Sequence, residues 1–192
     1  MTHRCLANLV VALVVLAGSA LSLAEENAAA PAEPAKAAPP EHCPVLSLDS
    51  LVHLSKEELE ELYEHAAPGP IPQGYLRGKA LRGAGTCLAG PRSKATGLIW
   101  HGKHFNSDCT LINQWCCGIQ AIVARVHYGE SWKDGKEAIV MDYAETSRVW
   151  ADVRDEIRQI TPGLYLGVMY LRKCPEPRFK MFFALEAACA CE

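Results

Sequence analysis

The sequence predicts a mainly β protein, an antiparallel barrel or sandwich preceded by one N-terminal helix. Six segments between residues 74 and 187 are rich in aromatic or branched side chains and are bounded by Gly, Pro or Asp, as β-strands are. Long helical repeats do not separate them, which favours antiparallel over parallel pairing. The chain has 192 residues, 49% of them hydrophobic, which suits one domain with its own core.

The first 24 residues predict a secretory signal peptide that is cleaved after Ala24. A single positive charge, Arg4, precedes an apolar run over residues 6–16, and small residues lead up to Ala24. A membrane anchor is the alternative, but the run is broken at Gly18 and is short beside the roughly 20 residues of a bilayer span. Once the signal peptide is removed, we expect no transmembrane segment.

Residues 25–42 predict a disordered tether, because they consist almost wholly of Ala, Pro and Glu and offer nothing to bury. Residues 43–192 then form the folded domain. The chain holds 19 Lys and Arg against 22 Asp and Glu, and only one of these charges, Arg4, lies in the signal peptide. This acidic balance is not typical of nucleic-acid binders, so we expect no nucleic-acid partner.

Eight cysteines follow the signal peptide, and an even number predicts up to four disulfides formed in an oxidising compartment. The location is then secreted or lumenal: extracellular, periplasmic, endomembrane or an organelle lumen. A thiolate metal site is the alternative, but the closely spaced cysteines lack the CxxC spacing of structural zinc. The candidates for disulfides are Cys43, Cys87, Cys109, Cys116, Cys117, Cys174, Cys189 and Cys191.

The first element is a helix that begins after Ser55. Ser55 and Glu58 have the spacing of a capping box, and Leu59 and Leu62 follow at helical spacing. The helix must end before Pro68.

Strands are predicted over residues 74–81, 97–105, 110–129, 137–144, 164–171 and 178–187. Asp134-Gly135 predicts a type I′ hairpin turn, since this turn needs positive φ at both central residues. If residues 110–129 form one strand, Cys116 and Cys117 point to opposite faces and need different partners. In the last strand the alternation places one set of apolar residues on a common face: Phe179, Met181, Phe183 and Leu185.

The segment between residues 149 and 160 fits both a helix and a strand. Its apolar residues repeat at three and four but also alternate. A helix would turn Arg154, Asp155, Glu156 and Arg158 into a solvated face of weak ion pairs. A barrel strand would point one or two of these charges inward, where they need partners.

Three short motifs in order resemble a group of little-characterised lipocalin-like proteins with a GXWXG-type opening. The resemblance covers about residues 70–186 and implies a small calycin-type β-barrel whose interior takes an apolar ligand. It implies no reaction and no cofactor. The residues that carry it are Trp100, Gly102, Lys103 and Phe105, then Asp142 and Tyr143, then Leu164, Leu166 and Gly167.

Candidate ligand contacts are the aromatic and basic side chains of these strands. Trp100 is expected to close the base of the barrel, with the Lys103 stem against it. Metal is not expected, because His101 and His104 are three apart and face opposite ways on a strand. The full set of candidate ligand-binding residues is Trp100, Lys103, Tyr143, Arg154, Tyr165 and Tyr170.

We interpret the sequence as a secreted or lumenal binding protein for a small apolar ligand of the lipid, pigment or terpenoid class. Motifs of the common hydrolases and metalloproteases do not occur. A barrel enzyme, an isomerase, cyclase or hydrolase, is one alternative, with Asp155 or Glu156 acting beside Tyr143. Asp142 is a further candidate carboxylate, and a scaffold of ion pairs with Arg154 and Arg158 is favoured over catalysis. A secreted protein-interaction module is the second alternative.

Overall fold

A computed structural model describes residues 46–84, 86 and 88–187. The predicted signal peptide and tether lie outside this range. So do four of the predicted disulfide cysteines, which are Cys43, Cys87, Cys189 and Cys191.

The strands form a closed antiparallel barrel in which each strand pairs with its neighbours in the chain and the last pairs with the first. The prediction of a mainly β antiparallel barrel with an N-terminal helix is confirmed, and this up-and-down topology is that of lipocalins. The eight strands are β1 (Gly74–Leu81), β2 (Trp100–Phe105), β3 (Thr110–Trp115), β4 (Gln120–Glu130), β5 (Glu137–Asp142), β6 (Val153–Thr161), β7 (Leu164–Leu171) and β8 (Arg178–Ala187).

Apolar side chains pack on both sides of the barrel wall. Leu111, Met141 and Ile157 belong to the cluster that fills the interior. A second cluster lies on the outside, where Val168 and Phe182 pack beneath the N-terminal helices. Strands β7 and β8 are therefore apolar on both faces, which explains the near-continuous hydrophobic runs of these two segments.

Among the described residues, three helices lie against the barrel: α1 (Leu48–Leu51), α2 (Lys56–His65) and α3 (Ala89–Gly97). The predicted helix is confirmed as α2, which begins at the capping box of Ser55 and Glu58 and buries Leu59 and Tyr63. The prediction of strands alone after α2 is wrong at α3, which covers a segment to which no element was assigned and the first residue of the second predicted strand.

The segment predicted as one strand over residues 110–129 is instead a hairpin. Strands β3 and β4 are joined by a 3-10 turn, Cys116–Gly118, in which Cys117 has a φ of 59°. The argument that Cys116 and Cys117 face opposite sides of a strand therefore does not apply, since both lie in the turn. Gly118, with a φ of 72°, is the turn signal inside the apolar run.

The hairpin at Asp134-Gly135 is confirmed in place but not in type. It joins β4 to β5, and Gly135 has a φ of 72°, but Asp134 does not have positive φ. The loop is longer than a two-residue turn, because the N–H of Ser131 donates to the carbonyl of Lys136 and closes it. From this loop, the side chain of Asp134 pairs with Arg158 on β6.

The alternation predicted for β8 is broken by an irregularity in its pairing with β7, where Tyr170 lies opposite Phe179 and Met169 opposite Met181. Phe179 consequently packs with the outer cluster. Met181 and Phe183 face the interior, so the prediction that all four apolar residues share one face is wrong at Phe179.

The ambiguous segment around residue 155 is a strand, β6. Val153 and Ile157 face the interior, so Asp155 between them also points inward. Arg154, Glu156 and Arg158 point outward, which matches the strand alternative, with one charge inside the barrel.

The two ends of the barrel differ. At the end where β1 begins, the preceding chain crosses the opening and is fixed by Tyr128, whose hydroxyl donates to the carbonyl of Gly69 at 3.0 Å, and by Tyr165, whose hydroxyl donates to that of Pro70 at 2.9 Å. Ile71 packs against the interior cluster there. The opposite end, with the β3–β4 turn, contains the candidate site.

The four cysteines within the described range, Cys109, Cys116, Cys117 and Cys174, are free thiols. The disulfide framework thus stays a prediction. In the same range, no helix has the length and apolar character needed to cross a membrane.

Candidate functional site

A cavity of about 230 Å³ lies inside the barrel at the end opposite the β1 start. Its wall is largely aromatic: Trp115 meets Trp150 edge to face at 5.8 Å between ring centroids, and Trp100 meets Phe183 in the same way at 6.1 Å. Met169 and Met181 complete the apolar lining, with Thr96 at the α3 side. A polar floor is formed by Lys103, Asn113 and Asp155.

Lys103 is the centre of the floor and is 2% exposed. Its ammonium Nζ lies 2.9 Å from Asp155 Oδ2, a buried ion pair, and donates to the Tyr143 hydroxyl at 2.7 Å and to Asn113 Oδ1 at 2.9 Å. An ammonium has three N–H bonds, so all three are used. The charge also lies 5.5 Å from the ring centroid of Trp100, within the range of a cation–π contact.

Tyr143 and Asn113 complete the network. The Tyr143 hydroxyl donates to Asp155 Oδ2 at 3.1 Å and accepts from Asn113 Nδ2 at 3.2 Å. Burial, and after it the charge of Asp155, raise the pKa of Tyr143 well above its ordinary value, so the hydroxyl keeps its proton. Asn113 Oδ1 also accepts the indole N–H of Trp100 at 3.2 Å, which connects the floor to the aromatic wall.

Asp155 is the one member of this network with unused capacity. Its Oδ2 accepts from both Lys103 and Tyr143, but no donor among the described residues reaches its Oδ1, although this atom is buried. Buried carboxylate oxygens are nearly always hydrogen-bonded, so an exception at the floor of a cavity indicates a place for a group that the protein does not supply.

Two irregularities in the strands place these side chains. The pairing of β2 with β3 shifts between Trp100 and Gly102, so that Trp100 and Lys103 both face the cavity although they are three residues apart. The pairing of β3 with β4 shifts after Ile112, opposite Ile122, which has a φ of 68°. A positive φ is rare for a β-branched residue, and here the Ile122 carbonyl accepts from Asn113 Nδ2 at 2.9 Å.

Glu156 lies on the outer side of the wall and belongs to a separate network. Its Oε2 accepts from the hydroxyls of Ser131 at 2.5 Å and Tyr63 at 3.3 Å, and its Oε1 accepts the backbone N–H of Trp132 at 3.0 Å. Arg154 Nε is 3.0 Å from the same Oε1 but is not aligned for a hydrogen bond. The network joins α2, the β4–β5 loop and β6, and the Glu156 side chain at its centre is fully buried.

Arg158 is fully buried beside this network and acts as a clamp. Its guanidinium makes a bidentate ion pair with Asp134, with both N–O distances at 2.7 Å, and donates to the carbonyls of Tyr63, Lys136 and Glu137. The Arg158 hydrogen bonds hold the pKa of Asp134 below its usual range. This geometry fixes the end of α2 and the β4–β5 hairpin to the barrel.

The structure brings together three of the six predicted ligand-binding residues, Trp100, Lys103 and Tyr143. Arg154 lies outside the barrel, with its guanidinium 4.3 Å from the ring centroid of Trp132. Tyr170 is also outside and packs on Trp132 at 5.8 Å. Tyr165 faces inward but lies four residues along β7 from Met169, about 13 Å away at the closed end.

The predicted carboxylates do not converge. Asp155 lies in the cavity, Glu156 lies outside the wall, and Asp142 pairs with Arg172 at 2.6 Å on the barrel surface. The predicted counter-ions are found in part: Arg154 is next to Glu156, but the partner of Asp155 is Lys103 and that of Arg158 is Asp134.

Most residues of the cavity wall were not among the candidates predicted from the sequence. Asn113 alternates with Leu111 and Trp115 along β3, so a polar residue at an inward position was the available signal. Trp150 lies in the β5–β6 loop, where no periodicity marks it. The remaining unselected residues of the lining are Thr96, Trp115, Met169, Met181 and Phe183.

Two other features of the described chain bear on the choice of site. A larger cleft of about 470 Å³ lies on the outside between α2, the β1–α3 connection and β8, but it is lined by exposed charges such as Arg92 and Lys180. Over residues 46–84, 86 and 88–187, no group of three or more His, Cys, Asp and Glu side chains could hold a metal ion.

No protein-family model matches the chain, and no curated protein matches it. Among solved structures, the chain is similar to the crystal structure of a protein from Thermomonospora curvata, with 21% sequence identity and a TM-score of 0.48, over 71% of this chain and 89% of that one. The fold assignment therefore rests on the strand pairing of this protein's own structure.

Proposed function

We propose that this protein is a binding protein that holds a small apolar molecule inside its barrel. The observation that carries the proposal is the interior cavity, which combines an aromatic and thioether wall with a few fixed polar groups. Ligand sites in proteins are built in this way, mostly apolar with a small number of placed hydrogen-bonding groups. The mouths of β-barrels are a usual position for them.

The volume of the cavity limits the size of the ligand. An engineered apolar cavity of roughly 150 Å³ holds one benzene, and sites for drug-sized molecules begin at roughly 300 Å³. At about 230 Å³, this cavity suits a molecule of one or two rings. Within the expected lipid, pigment and terpenoid classes, a small terpenoid fits inside the cavity, whereas a long acyl chain would extend beyond it.

We place this function outside the cytoplasm, in a secreted or lumenal setting, with a lipocalin-like mode of binding. The predicted signal peptide and the even number of cysteines behind it support the location. The closed up-and-down barrel supports the mode of binding.

The experiment is native mass spectrometry of the protein purified from its own source without detergent. We expect one guest of one or two rings per chain. If the signal peptide is removed, the measured mass should be that of a chain beginning at Glu25. Met169→Trp fills the cavity and is expected to abolish the guest. The neighbouring Tyr170→Phe lies outside the wall and is expected to retain it. A guest retained equally by both variants would contradict the proposal.

A second candidate, an enzyme on the same barrel, is favoured by one contact. The Asp155 carboxylate lines the cavity, where it could act as a base on a substrate, and the hydroxyl of the fully buried Tyr143 donates to it at 3.1 Å. The same experiment separates the two functions. A binding protein returns its guest unchanged after incubation, whereas an enzyme returns a product of different mass or structure.

A further inference from the structure

We propose that the interior cavity selects a neutral ligand that donates a hydrogen bond, an alcohol or a phenol, over carboxylates, amines and plain hydrocarbons. The inference rests on the proposed function and adds to it the chemical class of the ligand. It follows from counting the hydrogen-bond donors and acceptors of the cavity floor.

Every donor of the floor is already engaged. Lys103 gives its three N–H bonds to Asn113, Tyr143 and Asp155. The amide Nδ2 of Asn113 gives its two to the carbonyl of Ile122 and to Tyr143. The hydroxyl of Tyr143 gives its proton to Asp155, and the indole N–H of Trp100 is given to Asn113. A ligand that needs a donor finds none in the floor.

One acceptor is unengaged, the Oδ1 atom of Asp155. The residue is only 4% exposed, and no donor from the described part of the chain reaches this oxygen. A buried carboxylate oxygen without a donor costs stability, and a hydrogen bond to a charged acceptor is about twice as strong as one between neutral groups. The floor therefore favours the binding of a ligand with a hydroxyl group that can donate to Asp155.

The charge of the floor decides against ionic ligands. Lys103 and Asp155 form a neutral pair in a site of low dielectric constant. A carboxylate would meet the charge of Asp155 with no free donor to compensate it. An ammonium would meet the charge of Lys103, which already lies within 5.6 Å of the ring centroids of Trp100, Tyr143 and Phe183. A neutral hydroxyl avoids both costs.

A series of ligands on one carbon skeleton tests this inference by isothermal titration calorimetry with the full chain. The probes are thymol, its methyl ether, p-cymene and 4-isopropylbenzoate. Thymol is p-cymene with a phenolic hydroxyl, and its ether keeps the oxygen but cannot donate. We expect thymol to bind about tenfold more tightly than p-cymene or the ether, or better, and no measurable binding of the benzoate.

A double variant, Lys103→Met with Asp155→Leu, removes the acceptor while leaving the floor without net charge. We expect its preference for thymol over p-cymene to fall well below that of the wild type, because only the neutral oxygens of Asn113 and Tyr143 remain as acceptors. The wild-type series is decisive even if the double variant does not fold. Equal binding of thymol, ether and p-cymene by the wild type would overturn the inference and leave the proposed function standing, as would tighter binding of the benzoate. Binding of none of the four would overturn both.

Discussion

Asp155 and Glu156 are neighbours in the chain, yet β6 sends them to opposite sides of the barrel wall. Both are buried carboxylates, and each is compensated differently. Glu156 accepts from two hydroxyls and a backbone N–H, so its hydrogen-bonding capacity is met by the fold. Asp155 has one oxygen met and one unmet. This difference assigns Glu156 to the scaffold and Asp155 to the site.

At this scale we predict the cost of removing Lys103. Lys103→Met leaves the Asp155 carboxylate buried without its counter-ion, and breaking a buried pair from one side costs about 4 kcal/mol of unfolding free energy. The addition of Asp155→Leu removes the stranded charge and is expected to recover most of that loss. Urea denaturation of the wild type, both single variants and the double variant measures the coupling. Losses that simply add in the double variant would show that the two charges do not act as a pair.

At the scale of elements, the irregularities in strand pairing determine which side chains face the cavity. Gly102 has a φ of 145°, and a Cβ there would overlap the carbonyl oxygen of Leu76 on β1. The close approach of β2 to β1 therefore requires glycine. Gly102 also lies at the register shift between β2 and β3, and this shift turns both Trp100 and Lys103 toward the cavity.

We predict that Gly102→Ala lowers the free energy of unfolding by about 3 kcal/mol, because the contact is with backbone that cannot move aside. Gly90→Ala is the matched control. Gly90 lies in α3, where an added methyl group would have no heavy atom within 4 Å, and should be unchanged or stabilised by up to about 1 kcal/mol. Thermal or urea unfolding measures both. Equal stability of the two variants would contradict the role of the bulge.

The elements also show what sequence patterns can predict here. The capping box at Ser55 and the strands β1, β7 and β8 were predictable, because caps and apolar runs act locally. The positive φ of Cys117 in the 3-10 turn and the bulge at Ile122 were not. Each depends on a non-glycine residue with positive φ, which local propensity disfavours and only the pairing of β3 with its neighbours enforces.

At the scale of the whole molecule, acid stability depends on the Arg158 clamp. Because the pKa of Asp134 is lower in the folded than in the unfolded chain, its stabilisation is present above the unfolded pKa and is lost as the pH falls through the folded pKa. We therefore expect the free energy of unfolding to fall below about pH 5.

Asp134→Asn is expected to lower stability by about 2 kcal/mol at pH 7 and to flatten the acid limb, since no carboxylate remains at this position to take up a proton. Urea unfolding between pH 3 and pH 7 compares the two chains. A variant that loses stability with the same steepness as the wild type would show that other carboxylates determine the acid limb.

Much of the site could not be predicted, because its residues come together only when the whole barrel has formed and no single segment of the sequence contains them. Lys103, Tyr143 and Asp155 come from three different parts of the chain, and their contact depends on closure of the sheet. Trp150 joins them from a loop, 5.6 Å from Tyr143 between ring centroids. Resemblance and strand patterns identified Trp100, Lys103 and Tyr143 as candidates, but they could not distinguish the inner from the outer face for Arg154 and Tyr170.

Closure of the barrel has one more consequence, for how copies of this chain meet one another. The first strand pairs with the last over six residue pairs, so every described strand has a neighbour on both sides. An open sheet presents a row of free N–H and C=O groups on which a second chain can add a strand, the usual starting point of edge-to-edge aggregation. Here that row is already occupied by the chain's own first and last strands.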